Sequence, residues 1–260
     1  MPVTGTGCDP PSTPVPFGAA GRANSEVEWD GFDPQSYVRK NYAALRPDDR
    51  QLLCGIRDFF AAAGLDEARC VDVGSGANLY PVLSLLPFAR SIDLCDLSRS
   101  NLAWLRRQIT GYDPIWDPYW RVCAELPAYA AVTDPRARLA QAGRALEISV
   151  FDLPRRMWDA GTMFFVACSI SDDPVEAERA TSRFLGALRP GSPFGAAFML
   201  GSGGYRVGQR WFPAGRLERA DVAASIAAGG YELAFRELRP VPPLRDEHLT
   251  MLLVTGRSRG

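Results

Sequence analysis

The chain has 260 residues, 47% of them hydrophobic and 23% charged, with 29 basic against 30 acidic side chains and a net charge of −1. That balance lacks the broad positive field on which non-specific nucleic-acid binding depends, and the composition is globular rather than fibrous. A single histidine, His248, excludes multi-histidine zinc sites and HExxH chemistry, and six cysteines without a CxxC pair exclude a zinc ribbon.

Residues 1–25 hold five prolines, four glycines and few large apolar groups, so they read as a disordered tail ahead of one domain over 26–260. No charged head followed by an apolar stretch marks a signal peptide, and no apolar run nears the ~20 residues of a membrane helix. Cys54, Cys70, Cys95 and Cys168 lie in apolar runs and read as reduced core thiols. The expectation is a soluble cytoplasmic protein with no membrane partner.

A helix is predicted over 34–45, opened by Pro34, and a second from Asp48 with Leu52, Leu53, Ile56, Phe59 and Phe60 on one side and Gly64 as its stop. These form a helical cover over 26–66. The pattern then alternates. A buried strand at 70–73 meets the break Gly74-Ser75-Gly76, a helix follows over 79–86, a strand over 91–96, and an amphipathic helix over 98–109 with Ser98 as N-cap. Such alternation begins a doubly wound α/β sheet. Residues 110–144, rich in Trp and Tyr, break it and read as a helical insertion. Strands are expected at 145–153, 162–170, 193–200 and 205–212, and in the two closing apolar runs. Helices are expected at 174–188 and near 221–229.

The segment Asp72-Val73-Gly74-Ser75-Gly76 follows a buried strand, where paired glycines let a ligand approach the backbone at a helix N-terminus. The third glycine of a dinucleotide fingerprint would fall on Leu79, which argues against NAD or FAD. An acid two positions before Gly74 matches instead the pattern of S-adenosylmethionine (SAM) binding. Asp96 ends the next strand and is placed to accept both ribose hydroxyls; a plain helix-capping role is the alternative. Asp152, after the next strand, is the candidate acceptor for an adenine amino group, with a turn aspartate before Pro154 as its alternative.

The helix FDPQSYVRKNY, the loop VDVGSGANLY, the run DLCDLSRSNL, the LRPG turn and GYRVGQRWF together resemble the nicotinamide, phenylethanolamine, thioether and indolethylamine methyltransferases, across residues 30–257. The resemblance implies a Rossmann-like seven-stranded SAM-methyltransferase sheet with an N-terminal helical cover and a helical insertion. It implies that Tyr37, Tyr42, Asp72, Gly74, Ser75, Tyr80, Asp96 and Asn101 surround SAM, with Gly76 in the same loop. Tyr37 and Tyr42 would fold over the methionine end, and Tyr80 would hydrogen-bond there. Methyl transfer to a small molecule, at nitrogen and by proximity, is the expected activity, in secondary metabolism or detoxification.

The sequence departs from the family's pattern in one place. Amine methyltransferases of this type place a carboxylate near the start of GAAFMLGSGGY, and here that stretch holds no acid. Ser202 and Tyr205 are the nearest polar groups and, with Tyr37, the candidate catalytic residues. An apolar acceptor, a thiol, or a substrate held by its own charge on Arg206 or Arg210 would suit the site better than a nicotinamide-like or phenylethanolamine-like one. The missing acid leaves room for a SAM cyclase that releases methylthioadenosine and azetidine-2-carboxylate, its pocket lined by Ser169, Ser171, Tyr205 and the insertion's tryptophans. A non-catalytic SAM-binding protein is the third reading. His248 reads as a solvated strand-edge residue.

Overall fold

The computed structural model describes residues 23–239 and 250–260. Cys8, His248 and most of the expected tail lie outside the described residues. Of that tail, residues 23–25 are described, and they enter a 3-10 helix, Asn24–Glu26, rather than a disordered stretch.

The helices are α1 (Pro34–Asn41), α2 (Pro47–Ala62), α3 (Tyr80–Leu85), α4 (Arg99–Thr110), α5 (Asp117–Cys123), α6 (Pro127–Ala130), α7 (Pro135–Ala142), α8 (Pro174–Ala187) and α9 (Arg219–Gly229). Their starts are written locally. Asp33 accepts the Ser36 amide at 3.1 Å ahead of Pro34, and Ser98 accepts the Asn101 amide at 3.3 Å as the expected N-cap of α4.

The strands are β1 (Ala68–Val73), β2 (Ala89–Asp96), β3 (Gly143–Glu147), β4 (Ala160–Phe164), β5 (Pro193–Leu200), β6 (Tyr205–Val207), β7 (Arg210–Phe212), β8 (Gly230–Leu238) and β9 (Thr250–Ser258). Seven of them form one sheet in the order β3-β2-β1-β4-β5-β9-β8, as expected for a seven-stranded Rossmann-like fold. The first five in that order are parallel, and β9 runs antiparallel to both β5 and β8. Strand order reverses between β1 and β4, and the crevice at the carboxyl ends there is where ligands of such sheets bind.

Three expected strands are corrected. The run 145–153 leaves the sheet after Glu147, because the Ser149 hydroxyl accepts the Phe151 amide at 3.2 Å and starts a 3-10 helix, Val150–Asp152. The run 162–170 ends at Phe164, since Phe165 takes a left-handed backbone (φ 60°) while its amide donates to the Ala197 carbonyl at 2.7 Å. The run 205–212 is a hairpin of β6 and β7 turning at Gly208, whose φ is 57°.

Apolar side chains fill both faces of the sheet. On one side α2 delivers Leu52, Leu53, Ile56 and Phe60, all fully buried. Ile56 lies so close over β5 that a Cβ on Gly195 would meet its Cδ1 at 2.0 Å. α2 is therefore a layer of the sandwich, and the cover over the crevice is limited to residues up to Tyr42. The insertion is bolted onto the same side. Arg57 of α2 donates to the Val122 carbonyl at 2.5 Å and to Glu125 at 2.9 Å, and the Tyr129 hydroxyl donates to the Ser84 carbonyl at 2.7 Å. α8 and α9 cover the other face. No helix among the described residues is long and apolar enough to cross a membrane.

Candidate active site

The loop after β1 turns at Gly74 (φ 61°) and Gly76 (φ 53°), conformations that cost an L-side chain roughly 1–2 kcal/mol. A Cβ on Gly74 would also meet Val166 at 2.5 Å. The loop is held to the end of β2 by Asp96, which accepts the Gly76 amide at 2.8 Å, the Ser98 amide at 2.8 Å and the Asn101 side-chain amide at 3.3 Å. Burial pushes the Asp96 carboxyl above the usual carboxylate range, and the Ser98 and Gly76 amides pull it back. Asp96 thus braces the turn into α4, whose N-cap is Ser98, and lines the crevice as well.

That crevice is a cleft of about 1460 Å³, its solvent-open mouth included. Its floor is Gly74, Ser75, Gly76 and Asn78. One end is formed by Asp96, Leu97 and Asn101 with Ile148, Ser149 and Val150; the other by Phe165, Ser169, Ile170, Met199, Ser202 and Tyr205. Trp29, Phe32, Tyr37 and Tyr42 roof it. Phe212 clasps that roof to the β6–β7 hairpin, with its ring 5.6 Å from Trp29, 5.3 Å from Phe32 and 5.6 Å from Tyr205. An exposed ion pair, Arg210 to Glu28 at 3.0 Å, closes the same seam, so Arg210 faces the cover and not the cleft. Lys40 and Arg206 stand at the mouth, exposed, and neither makes an ion pair among the described residues.

Of the expected site residues, Tyr37, Tyr42, Gly74, Ser75, Gly76, Asp96, Asn101, Ser202 and Tyr205 come together in this cleft. Asp152 does not: the early end of β3 leaves it exposed on the 3-10 helix, and Ile148–Val150 line the wall in its place. Asp72 and Tyr80 sit behind the lining. The Thr162 hydroxyl donates to Asp72 at 2.6 Å beneath the glycine loop, and burial pushes that carboxyl up to about 7. Tyr80 is fully buried, stacked on Tyr119 at 5.6 Å. The insertion's Trp116 packs in the core against Tyr42 at 5.5 Å, so neither it nor Trp120 lines the cleft, and Ser171 lies off the lining as well.

Asp49 was not foreseen, although it lines the cleft and is only 3% exposed. The signal was present: positions 49, 52, 53, 56 and 60 follow helical spacing, which puts Asp49 on the apolar face of α2. Burial, then the neighbouring charge of Asp48, pushes its carboxyl up to about 7.

The sequence profile of the NNMT/PNMT/TEMT family matches residues 22–243. The chain belongs to that family. It is 26% identical to phenylethanolamine N-methyltransferase of Mus musculus over 263 residues, covering 91% of this chain and 86% of that protein. It is 26% identical to indolethylamine N-methyltransferase of Oryctolagus cuniculus over 223 residues, covering 78% and 83%. The fold is shared with magnesium protoporphyrin IX methyltransferase of Synechocystis, solved with bound SAM, at a TM-score of 0.53 and 13% identity over 85% of this chain and 89% of that one. It is shared too with the N-methyltransferase NodS of Bradyrhizobium japonicum, at 0.52 and 12% over 88% and 100%.

This member of the NNMT/PNMT/TEMT family is a SAM-dependent methyltransferase. Its cleft fits that cofactor. Two buried side-chain amide atoms on the lining, Asn78 Nδ2 and Asn101 Oδ1, have no hydrogen-bond partner among the described residues, and the positive-φ glycines leave bare backbone between them.

Proposed function

We propose that this methyltransferase acts on a nitrogen of a small molecule that also carries a negatively charged group. The observation that supports this is the make-up of the cleft wall opposite Asp96. Met199 and Ile170 stand there with three hydroxyls, those of Ser169, Ser202 and Tyr205, and the two cations Lys40 and Arg206 stand at the mouth. The two carboxylates on the lining among the described residues, Asp49 and Asp96, come from other elements, the first turn of α2 and the end of β2.

In this reading Asp96, Asn101 and the glycine loop hold the ribose, Ile148–Val150 border the adenine, and the methionine end lies under Tyr37 and Tyr42. When bound, SAM would supply a methyl group on a sulfonium: the acceptor nitrogen's lone pair would bond to the methyl carbon, S-adenosylhomocysteine would leave with the carbon–sulfur electron pair, and any proton on the alkylated nitrogen would go to solvent. The protein's task is alignment and exclusion of water, worth up to about 7–11 kcal/mol in well-oriented systems. Tyr205, whose hydroxyl donates to the Ser169 carbonyl at 3.3 Å, and Ser202 orient the acceptor, with Tyr37 closing over it.

The test is a screen of paired amines and N-heteroaromatics with and without a carboxylate, incubated with SAM and followed by mass spectrometry. Methylated product and S-adenosylhomocysteine are expected from the anionic members, with KM raised at least tenfold by Arg206→Ala. Preference for neutral or cationic members would overturn the reading.

The same acid-free wall favours a second reading. There the cleft folds the aminobutyryl chain of SAM so that its own amine displaces methylthioadenosine at Cγ. Azetidine-2-carboxylate leaves and the amine's proton goes to solvent. SAM incubated alone separates the two: methylthioadenosine formed faster than in buffer belongs to cyclisation, and intact SAM excludes it.

A further inference from the structure

We propose that Asp49 is the counter-ion of the α-ammonium group at the methionine end of the cofactor. The inference rests on the cleft being the SAM site and holds whichever bond of SAM is broken there. Asp49 lies in the first turn of α2, on the cleft lining, and is 3% exposed. A carboxylate so placed is costly unless a cation meets it.

Among the described residues no protein cation pairs with it. Arg46, the cation of the same turn, directs its Nε to Asp48 at 3.2 Å, and among the described residues Asp49 makes no ion pair. The other faces around it are aromatic. Tyr42 at the end of α1, Tyr80 of α3 and Tyr119 of α5 surround it, with ring centroids 5.9 Å apart for Tyr42 and Tyr80 and 6.4 Å for Tyr42 and Tyr119. The other acids near the cleft are engaged elsewhere. Asp96 already accepts three N–H groups, and Asp72 lies beneath the glycine loop with Thr162. Among the described residues Asp49 is thus the one carboxylate on the lining that accepts no N–H group of the protein, and tyrosine rings beside it favour a cation further.

The ionisable groups facing it set a pH dependence. Burial and Asp48 raise its pKa to about 7, while Arg46 and Tyr80 draw it down. Tyr42 and Tyr119 are themselves raised by burial and remain neutral hydroxyls. Below about pH 7 the carboxyl takes up a proton, and an arriving ammonium must displace it.

The experiment is isothermal titration of the full chain and of Asp49→Asn with S-adenosylhomocysteine and with methylthioadenosine, which lacks the aminobutyrate, between pH 6 and pH 9. Wild type is expected to lose S-adenosylhomocysteine affinity below pH 7, approaching tenfold per pH unit. Asp49→Asn should bind that ligand about 10–100-fold more weakly, with no such pH slope. Methylthioadenosine should bind both proteins alike and without the slope, which also reports that the variant is folded. Equal losses for both ligands, or an Asp49→Asn affinity matching wild type, would overturn the assignment. Wild type binding neither ligand would instead overturn the cofactor site itself.

Discussion

Asp96 Oδ2 accepts the Gly76 amide at 2.8 Å, so the last residue of β2 holds in place the glycine loop that follows β1. One carboxylate thereby shapes the loop and presents its remaining lone pairs to the cleft.

Removing it should therefore damage binding and loop together. Asp96→Ala is expected to weaken S-adenosylhomocysteine about 10–100-fold by titration calorimetry, the size of one or two charge-assisted hydrogen bonds. It should also lower the thermal midpoint. Binding as tight as wild type would remove Asp96 from the ribose site.

The roof depends on Phe212, which is 2% exposed and touches three aromatic rings. Phe212→Ala should cost about 3 kcal/mol in a urea titration, within the range for buried aromatic truncation, and weaken cofactor binding. An unchanged midpoint with unchanged binding would mean the cover does not rest on this ring.

Asp72 and Asp49 both hold their protons to about pH 7 in the folded chain, against an ordinary value of 3.8. Between these limits the native state binds protons that the unfolded state has released, so the ligand-free protein should lose stability as pH rises from about 4 to 7. Three pH units at about 1.4 kcal/mol each make about 4 kcal/mol the ceiling for one such group. Asp72→Asn keeps an acceptor for Thr162 and cannot ionise. Its thermal midpoint should fall less between pH 5 and pH 8 than that of wild type; a parallel fall would show that Asp72 ionises freely.

What the sequence made legible was what local chemistry decides. Pro34 opens α1 and Ser98 before an amphipathic run starts α4 as expected, although α1 stops at Asn41 and not at 45, and β5 spans the predicted residues because a buried apolar run ends at a Pro-Gly turn on one side. The misses came from contacts between distant segments or from one-residue competition. The left-handed Phe165 is fixed by the Ala197 carbonyl, which no local pattern announces. Ser149 ended β3 early, and that put Ile148–Val150 on the cleft lining where Asp152 was expected. Asp49 was readable from its spacing but hid among the acids common in a helix's first turn, where the dipole welcomes them.

Lys40, the chain's one lysine, stands exposed at the mouth of the cleft. An amine-acylating fluorophore thus has a single side chain to modify, besides the α-amino group. The molecule comes with its own attachment point for a dye beside the entrance, and occupancy of the cleft can be followed as light without introducing a foreign residue.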